Sequence, residues 1–146
     1  MYIMVKQTIN FLSNTFPEIY SNFYLNYLKQ YSEIHNIKKT ELKALVFLKG
    51  NEKINMTELC SKLNIEKGSL TSLIDNLSKK GYVCRKKTIK DRRKYIIVLT
   101  EQGNEIAIDF IEKLSTNLEK KFKKLNKKDR NNYLVAIKVL EKLADI

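Results

Sequence analysis

The chain has 146 residues, and its 28 Lys and Arg against 16 Asp and Glu give a formal net charge of +12. This length fits one domain with extensions, and a hydrophobic content of 43% supplies a core, which excludes wholesale disorder. The sequence contains no run of 18 apolar residues and no signal-peptide pattern at its start, so we expect a cytoplasmic protein without a membrane partner.

The sequence also lacks the residues of the common catalytic, metal and nucleotide sites. It has one histidine, His35, and its four glycines are scattered rather than clustered in a phosphate-binding loop. We interpret Cys60 as a buried structural thiol, and the basic neighbours of Cys84 are as easily explained by a nucleic-acid partner as by redox chemistry. We therefore expect no enzyme, no cofactor and no metal.

The N-terminal third predicts two main helices. Pro17 fits the first position of a helix, where its missing N–H is not needed, and apolar residues recur with helical spacing up to about His35. The sequence also allows a shorter helix before it, with the apolar residues Ile3, Val5, Ile9 and Leu12. The next helix begins near Lys38 and ends at Gly50.

Two short helices follow with a very short connection. Asn55 and Glu58 have the spacing of a capping box, which predicts a helix start. The second helix covers residues 67–80, its buried stripe is Leu70, Leu73, Ile74 and Leu77, and Gly81 suits the position just after its end.

The periodicity then changes from helix to strand. Residues 82–87 and 95–99 predict two strands joined by a tip, which together form a hairpin over 82–99. Thr100 predicts the cap of a long helix that reaches about Phe122. Asn126 and Asp129 begin a last helix, whose apolar side chains we expect to face inward or an interface. The fold class is thus mainly α with a small β-hairpin, in about six helices.

The positive charge is concentrated at the hairpin. Residues 79–94 carry nine Lys and Arg against one Asp, whereas residues 1–36 are net neutral and hold eight of the 14 aromatic residues. Two short, tightly joined helices followed by a basic hairpin predict a winged helix-turn-helix, because a helix fits the major groove of DNA and a basic hairpin can reach the minor groove.

Several motifs in register resemble the MarR family of bacterial transcription regulators. The motifs are Gly81-Tyr-Val-Cys-Arg85, then Asp91-Arg-Arg93, then Leu99-Thr-Glu-Gln-Gly103, and the helix pair upstream is similar as well. The resemblance covers residues 37–103 by motif and the flanking helices by length and order only.

The resemblance implies a homodimer that binds a pseudo-palindromic operator in double-stranded DNA, and we expect a repressor. Residues 1–36 and 104–146 would form the dimerisation region, and residues 37–103 the DNA-binding lobe. The neutral, aromatic-rich N-terminal segment suits such an interface independently, although it could also complete a monomer core.

Candidate DNA contacts lie on the 67–80 helix and the wing. On the polar face of the helix they are Lys67, Ser69, Thr71, Ser72 and Asn76, of which Asn76 could pair with adenine. The resemblance implies that Arg93 reads the minor groove and that Asp91 orients the tip by pairing with Arg93 or Arg85. Phosphate contacts on the wing would come from Lys90, Arg92 and Lys94.

Two alternatives stay open. Relatives that bind small effectors use a pocket near the dimer interface, which Tyr24, Tyr27, Tyr31, Leu45 and Phe110 could line, but ordinary core packing accounts for these residues equally well. The polar 67–80 helix carries no arginine, which leaves a winged-helix protein-interaction module without operator recognition as the alternative function.

Overall fold

A computed structural model describes residues 1–88 and 95–144. In chain order the helices are α1 (Tyr2–Asn10), α2 (Phe16–Tyr20), α3 (Asn26–Ile34), α4 (Lys39–Gly50), α5 (Met56–Leu63), α6 (Lys67–Lys79), α7 (Glu101–Phe122) and α8 (Lys127–Leu143). The strands are β1 (Ile54–Asn55), β2 (Val83–Lys87) and β3 (Tyr95–Leu99). The chain divides into two compact units, Met1–Glu112 and Lys113–Ile146.

The N-terminal helix is longer than the sequence predicts. α1, α2 and α3 follow one another without a break, joined by two π-helical turns at Phe11–Thr15 and Ser21–Leu25. Pro17 therefore does not begin a separate helix, and this prediction is wrong. The π-helical turn before Pro17 widens the backbone where the proline ring would otherwise meet a carbonyl of the preceding turn, so the helix passes through the proline. With this run counted once, the described residues hold the six predicted helices.

A small antiparallel sheet has the strand order β1-β3-β2. The two strands form the hairpin that the sequence predicts, and they pair from Val83 opposite Leu99 to Lys87 opposite Tyr95. The short strand β1, which the sequence analysis missed, pairs on the other side of β3 with Ile54 opposite Ile97. Ile54, Val83 and Ile97 are buried, so the sheet closes one side of the core.

The core of the first unit is made by apolar stripes of several helices. α3 contributes Leu28, α4 contributes Leu42 and Leu45, and α7 contributes Ala107 and Phe110, all fully buried. The four predicted stripe residues of α6 are also buried. Burial of each large aliphatic or aromatic side chain stabilises the fold by about 1.5–3 kcal/mol.

Local capping signals set the ends of the helices around the hairpin. Asn55 Oδ1 accepts from the Glu58 N–H at 2.9 Å and Glu58 Oε2 accepts from the Asn55 N–H at 3.0 Å, which confirms the capping box. α6 ends in a Schellman motif, in which Gly81 has a φ of 77° and the Tyr82 N–H donates to the Leu77 carbonyl.

The second unit contains the last part of α7 and all of α8. Asn126 caps α8 by accepting from the Asp129 N–H at 2.8 Å, and Phe122 packs on Tyr133 with ring centroids 5.0 Å apart. α8 has no buried residue. The sequence analysis expected its apolar side chains to face inward or an interface; no described residue of α8 is buried, so the inward alternative is not found and the interfacial one stays a prediction. Within the described residues no helix is long and apolar enough to cross a membrane.

Candidate nucleic-acid interface

Helix α6 buries one face and presents the other to solvent. Leu70, Leu73, Ile74 and Leu77 are buried. The five residues that the sequence predicts for DNA contacts are all exposed: Lys67, Ser69, Thr71, Ser72 and Asn76. The 3.6-residue periodicity separates the two sets, because side chains three and four positions apart share a face. The structure therefore brings the predicted helix residues together on one polar surface.

The short polar side chains of this surface differ in what they can offer a partner. Thr71 Oγ1 donates to the Lys67 carbonyl at 2.9 Å, and Ser72 Oγ donates to the Gly68 carbonyl at 3.3 Å, so both hydroxyl protons are used within the helix. Among the described contacts, the side chains of Ser69 and Asn76 make no hydrogen bond. Their donors and acceptors are the ones available for base edges or phosphates.

A buried carboxylate at the far end of α6 is a feature that the sequence analysis missed. Glu41, only 1% exposed, accepts from Lys80 Nζ at 2.8 Å and from the Lys38 N–H at 3.0 Å. It thus joins the first turn of α4 to the C-terminal end of α6. The sequence held a signal for this contact, a Glu at position 41 on the face of α4 that is otherwise apolar as far as residue 48. A carboxylate on a buried face needs a partner, so this Glu predicts one.

The hairpin is joined to α6 by an ion pair. Arg85 on β2 lies 2.6 Å from Asp75 on α6, with both side chains partly exposed. Arg85 thus pairs with Asp75 among the described residues, and its predicted pairing with Asp91 stays a prediction. The predicted tip residues Lys90, Asp91, Arg92, Arg93 and Lys94 lie outside the described residues. Lys86 and Lys87, next to Arg85, are exposed and extend the basic surface along β2.

The base of the hairpin is fixed by the residue that begins α7. Thr100 donates through its N–H to the Tyr82 carbonyl at 3.0 Å and through Oγ1 to the Gly81 carbonyl at 2.6 Å. The same oxygen accepts from the Gly103 N–H at 3.2 Å, which confirms Thr100 as the cap of α7. A Cβ on Gly103 would overlap the Tyr82 backbone, so this close approach requires glycine.

The two cysteines are free and half-buried. Cys60 donates through its thiol to the Ile65 carbonyl at 2.8 Å, across the turn that separates α5 from α6. This contact is consistent with a structural role. Within residues 1–88 and 95–144 no three His, Cys, Asp or Glu side chains come together as a metal site would require.

The residues predicted for a small-molecule pocket pack around one ring. The centroid of Phe110 lies 6.1 Å from that of Tyr24, 5.9 Å from that of Tyr27 and 5.2 Å from that of Tyr31, and Leu45 is fully buried. These contacts are those of a packed aromatic core, which supports the core interpretation. The pocket itself stays a prediction.

Within this aromatic cluster Tyr31 carries a perturbed hydroxyl. Tyr31 Oη donates to Asp109 Oδ2 at 2.7 Å, and the ring stacks on His35 at 4.0 Å. Burial raises the pKa of Tyr31 far above its ordinary value, and the hydrogen bond to Asp109 and the charge of that carboxylate raise it further. Burial and the neighbouring Tyr20 also raise the pKa of Tyr24.

Comparisons with known proteins agree with this geometry. The family model described as "Winged helix DNA-binding domain" matches residues 40–118, which is more than half of the chain. The HTH-type transcriptional regulator SarZ of Staphylococcus aureus (strain USA300) is 39% identical over 83 residues, which are 57% of this chain and 53% of SarZ. The chain thus spans about half the length of the curated relative that it matches.

Two solved structures match over most of the chain. A MarR family protein from Bacillus stearothermophilus has a TM-score of 0.82 at 20% identity and covers 97% of this chain and 98% of its own. A MarR transcriptional regulator from Methanosarcina mazei Go1 has a TM-score of 0.70 at 25% identity, and the match covers 89% of this chain and 96% of that regulator's chain. With its mainly helical fold, three-stranded sheet and basic hairpin beside an exposed polar helix, the chain belongs to the winged helix DNA-binding domain family, and its fold is that of these MarR proteins.

Proposed function

We propose that this protein is a sequence-specific regulator of transcription that binds double-stranded DNA as a homodimer. α6 lies in the major groove and the wing, residues 82–99, reaches the minor groove. The observation that carries the proposal is the solvent-facing polar surface of α6, held next to the basic hairpin by the Arg85–Asp75 ion pair. Such a helix and hairpin match the two grooves of one site.

The residues of the interface then have different roles. Asn76 reads adenine through its amide, and Ser69 contacts a base edge or a phosphate. The Thr71 and Ser72 hydroxyls, whose protons are used within the helix, serve as acceptors for base-edge donors. Lys67 lies in the first turn of α6, where its charge adds to the positive end of the helix dipole and attracts phosphate. On the wing, Arg93 reads the minor groove, and Lys90, Arg92 and Lys94 neutralise phosphates.

The homodimer is supported by apolar surface that the single chain leaves exposed. Large apolar side chains are exposed along α1 and along α8, and two of them, Ile3 and Leu134, are 71% and 58% exposed. Surfaces of this kind mark protein contacts, and a second copy of the chain would cover both helices. Residues 1–36 and 104–146 would then form the dimerisation region, and two lobes, each of residues 37–103, would bind the half-sites of a pseudo-palindrome.

Repression is the simplest outcome for a dimer that occupies an operator without any catalytic activity of its own. A small-molecule effector would act through the cluster around Phe110 if ligand binding opens it. Binding of such a ligand would be detected as an increase in thermal stability in a screen of aromatic acids, since a ligand that binds only the folded state stabilises it.

The decisive experiment is selection of bound DNA from a random pool, followed by titration of the selected duplex. We expect a pseudo-palindromic consensus, and N76A should reduce affinity for it by about 1–3 kcal/mol while relaxing the preference at one position of each half-site. S78A, an exposed polar change on the same helix outside the predicted contact set, is the control. If the pool yields no consensus, the protein is a winged-helix interaction module instead.

A further inference from the structure

A second concentration of positive charge lies outside the wing, where α7 ends and α8 begins. Between residues 120 and 130 the chain has seven Lys and Arg and one acid, Asp129. We refer to these seven residues as the 120–130 basic cluster: Lys120, Lys121, Lys123, Lys124, Lys127, Lys128 and Arg130. The cluster lies wholly within the second unit, Lys113–Ile146.

Helix stability does not explain this arrangement. Lys120 and Lys121 lie in the last turn of α7, where cations are favourable. Lys127 and Lys128, in contrast, are the first two residues of α8, where the helix dipole disfavours positive charge. Only Asp129 and the cap at Asn126 complement that end of the helix. The sequence therefore places cations at a position that weakens the helix.

Six of the seven charges of the cluster also have no ion-pair partner among the described residues. All members except the half-buried Lys121 are exposed. In the described part of the chain, the side chains of Lys120, Lys123, Lys124, Lys127, Lys128 and Arg130 make no ion pair and no hydrogen bond. Six or more like charges along so short a segment repel one another, and a bound polyanion would relieve that repulsion.

We propose that the 120–130 basic cluster is a second DNA-binding site, which binds the phosphate backbone of duplex DNA without reading its sequence. Lysines predominate in the cluster, and a lysine binds phosphate as a point charge with no demand on base identity. The neighbouring rings of Phe122 and Tyr133 pack on each other, so they do not form a stacking platform for single-stranded bases. The site does not depend on operator recognition by α6.

Salt-dependent binding to a duplex of arbitrary sequence tests the proposal. The test variant is K124Q/K127Q. The matched control is K138Q/K142Q, which removes two exposed lysines of the same unit farther along α8. The logarithm of the affinity falls as the logarithm of the salt concentration rises, and each phosphate contact contributes about 0.9 to the steepness of that fall. We therefore expect the steepness to decrease by up to about 1.8 in the test variant and not to change in the control. In the larger variant K123Q/K124Q/K127Q/K128Q the steepness of the salt dependence should decrease by about twice as much as in K124Q/K127Q.

The same slope in all four proteins would overturn the proposal. So would a loss of binding to phosphatidylserine vesicles in K124Q/K127Q with unchanged DNA binding, because the cluster would then serve a membrane surface. Circular dichroism of all three variants checks that helix content is retained. These readouts use DNA without an operator, so failure of the operator assignment is seen separately, in the random-pool selection.

Two further measurements identify the source of the phosphates. If the cluster binds the flank of the duplex held by α6 and the wing, lengthening a selected duplex should strengthen binding by the parent and not by K124Q/K127Q. If it binds a second duplex, the parent should retain a labelled duplex on beads that carry another duplex, and the variant should not. A positive result in either arm supports the proposal.

Discussion

Lys80 Nζ lies 2.8 Å from Oε2 of Glu41, a carboxylate that is almost completely shielded from water. Lys80 directly follows α6, and Glu41 lies in the first turn of α4. Because the carboxylate has lost its hydration, the ammonium group and the Lys38 N–H stabilise its charge. The C-terminal end of the helix that we assign to the major groove is thereby fixed to the first helix of the lobe.

Glu41→Gln should lower the free energy of unfolding by about 1–2 kcal/mol. The amide retains the size of the side chain but loses the ion pair, and the partial exposure of Lys80 limits the loss because water can replace the partner. Urea unfolding followed by circular dichroism measures the change. Glu52→Gln, at an exposed carboxylate without a described side-chain partner, is the control; equal stabilities of the two variants would contradict the role of Glu41.

Gly103, in the first turn of α7, and Gly68, in the first turn of α6, should respond in opposite directions to replacement by alanine. Gly103→Ala should destabilise the fold by more than about 2 kcal/mol, because its Cβ meets the backbone of Tyr82, which cannot move aside as a flexible side chain would. Gly68→Ala in α6 meets nothing within 4 Å and should stabilise the helix by up to about 1 kcal/mol. Thermal unfolding of the two variants, compared with the parent, measures both changes. A lower stability of Gly68→Ala would show that a side chain at this position meets a neighbouring group.

The Arg85–Asp75 pair should matter more for DNA binding than for stability. Both side chains are more than 40% exposed, so Arg85→Gln should change the free energy of unfolding by less than about 1 kcal/mol. The same change should reduce affinity for a selected duplex by about 1 kcal/mol, roughly fivefold, because the wing is no longer joined to α6. The measurement is the ratio of affinities for selected and arbitrary duplexes.

The control for Arg85→Gln is Lys86→Gln, which removes the same charge one residue along β2. It should weaken binding to both duplexes equally, as expected for a phosphate contact, and leave the ratio unchanged. A ratio that changes equally in both variants would assign Arg85 to general phosphate binding rather than to positioning of the wing.

The buried hydroxyl of Tyr31 should make stability decrease at alkaline pH. Its pKa is raised in the folded protein, mainly by burial and then by Asp109, so the folded state favours the protonated phenol. That contribution is complete below the ordinary tyrosine pKa of about 10 and is lost as the pH rises above it. Stability measured from pH 8 upward should decline less in Tyr31→Phe than in the parent. Tyr2→Phe, at an exposed ring, should follow the parent.

The exposed face of α8 should determine the oligomeric state. Leu134→Asp and Leu140→Asp place a charge among side chains that are 58% and 47% exposed in the single chain. If a second copy covers this face, burial of the carboxylate will dissociate the dimer, and sedimentation velocity should show monomers at concentrations where the parent is dimeric. Asn132→Asp, a polar position of the same helix, should leave the dimer intact. A parent that sediments as a monomer would remove the homodimer from the proposal.

The sequence by itself determined the helices from α4 onward, the hairpin and their order. Asn55, Thr100 and Asn126 lie at helix starts because a capping side chain needs only the N–H groups a few residues away, and Gly81 ends α6 for an equally local reason. The stripe of α6 could be predicted because a helical period already separates its buried and exposed faces. The polar face that we assign to DNA follows from the same pattern.

Only the tertiary structure decided the contacts between distant segments. The pairs Glu41–Lys80 and Arg85–Asp75, the added strand β1 and the close approach of Gly103 to Tyr82 each depend on how separate elements pack, which no local periodicity encodes. The N-terminal helix passes through Pro17 because π-helical turns accommodate the ring, against the local signal for a helix start. The apolar stripe of α8 predicted a face that is covered either within the chain or at an interface, because a stripe shows only that a surface suits burial; the structure leaves no described residue of α8 buried, which removes the first alternative.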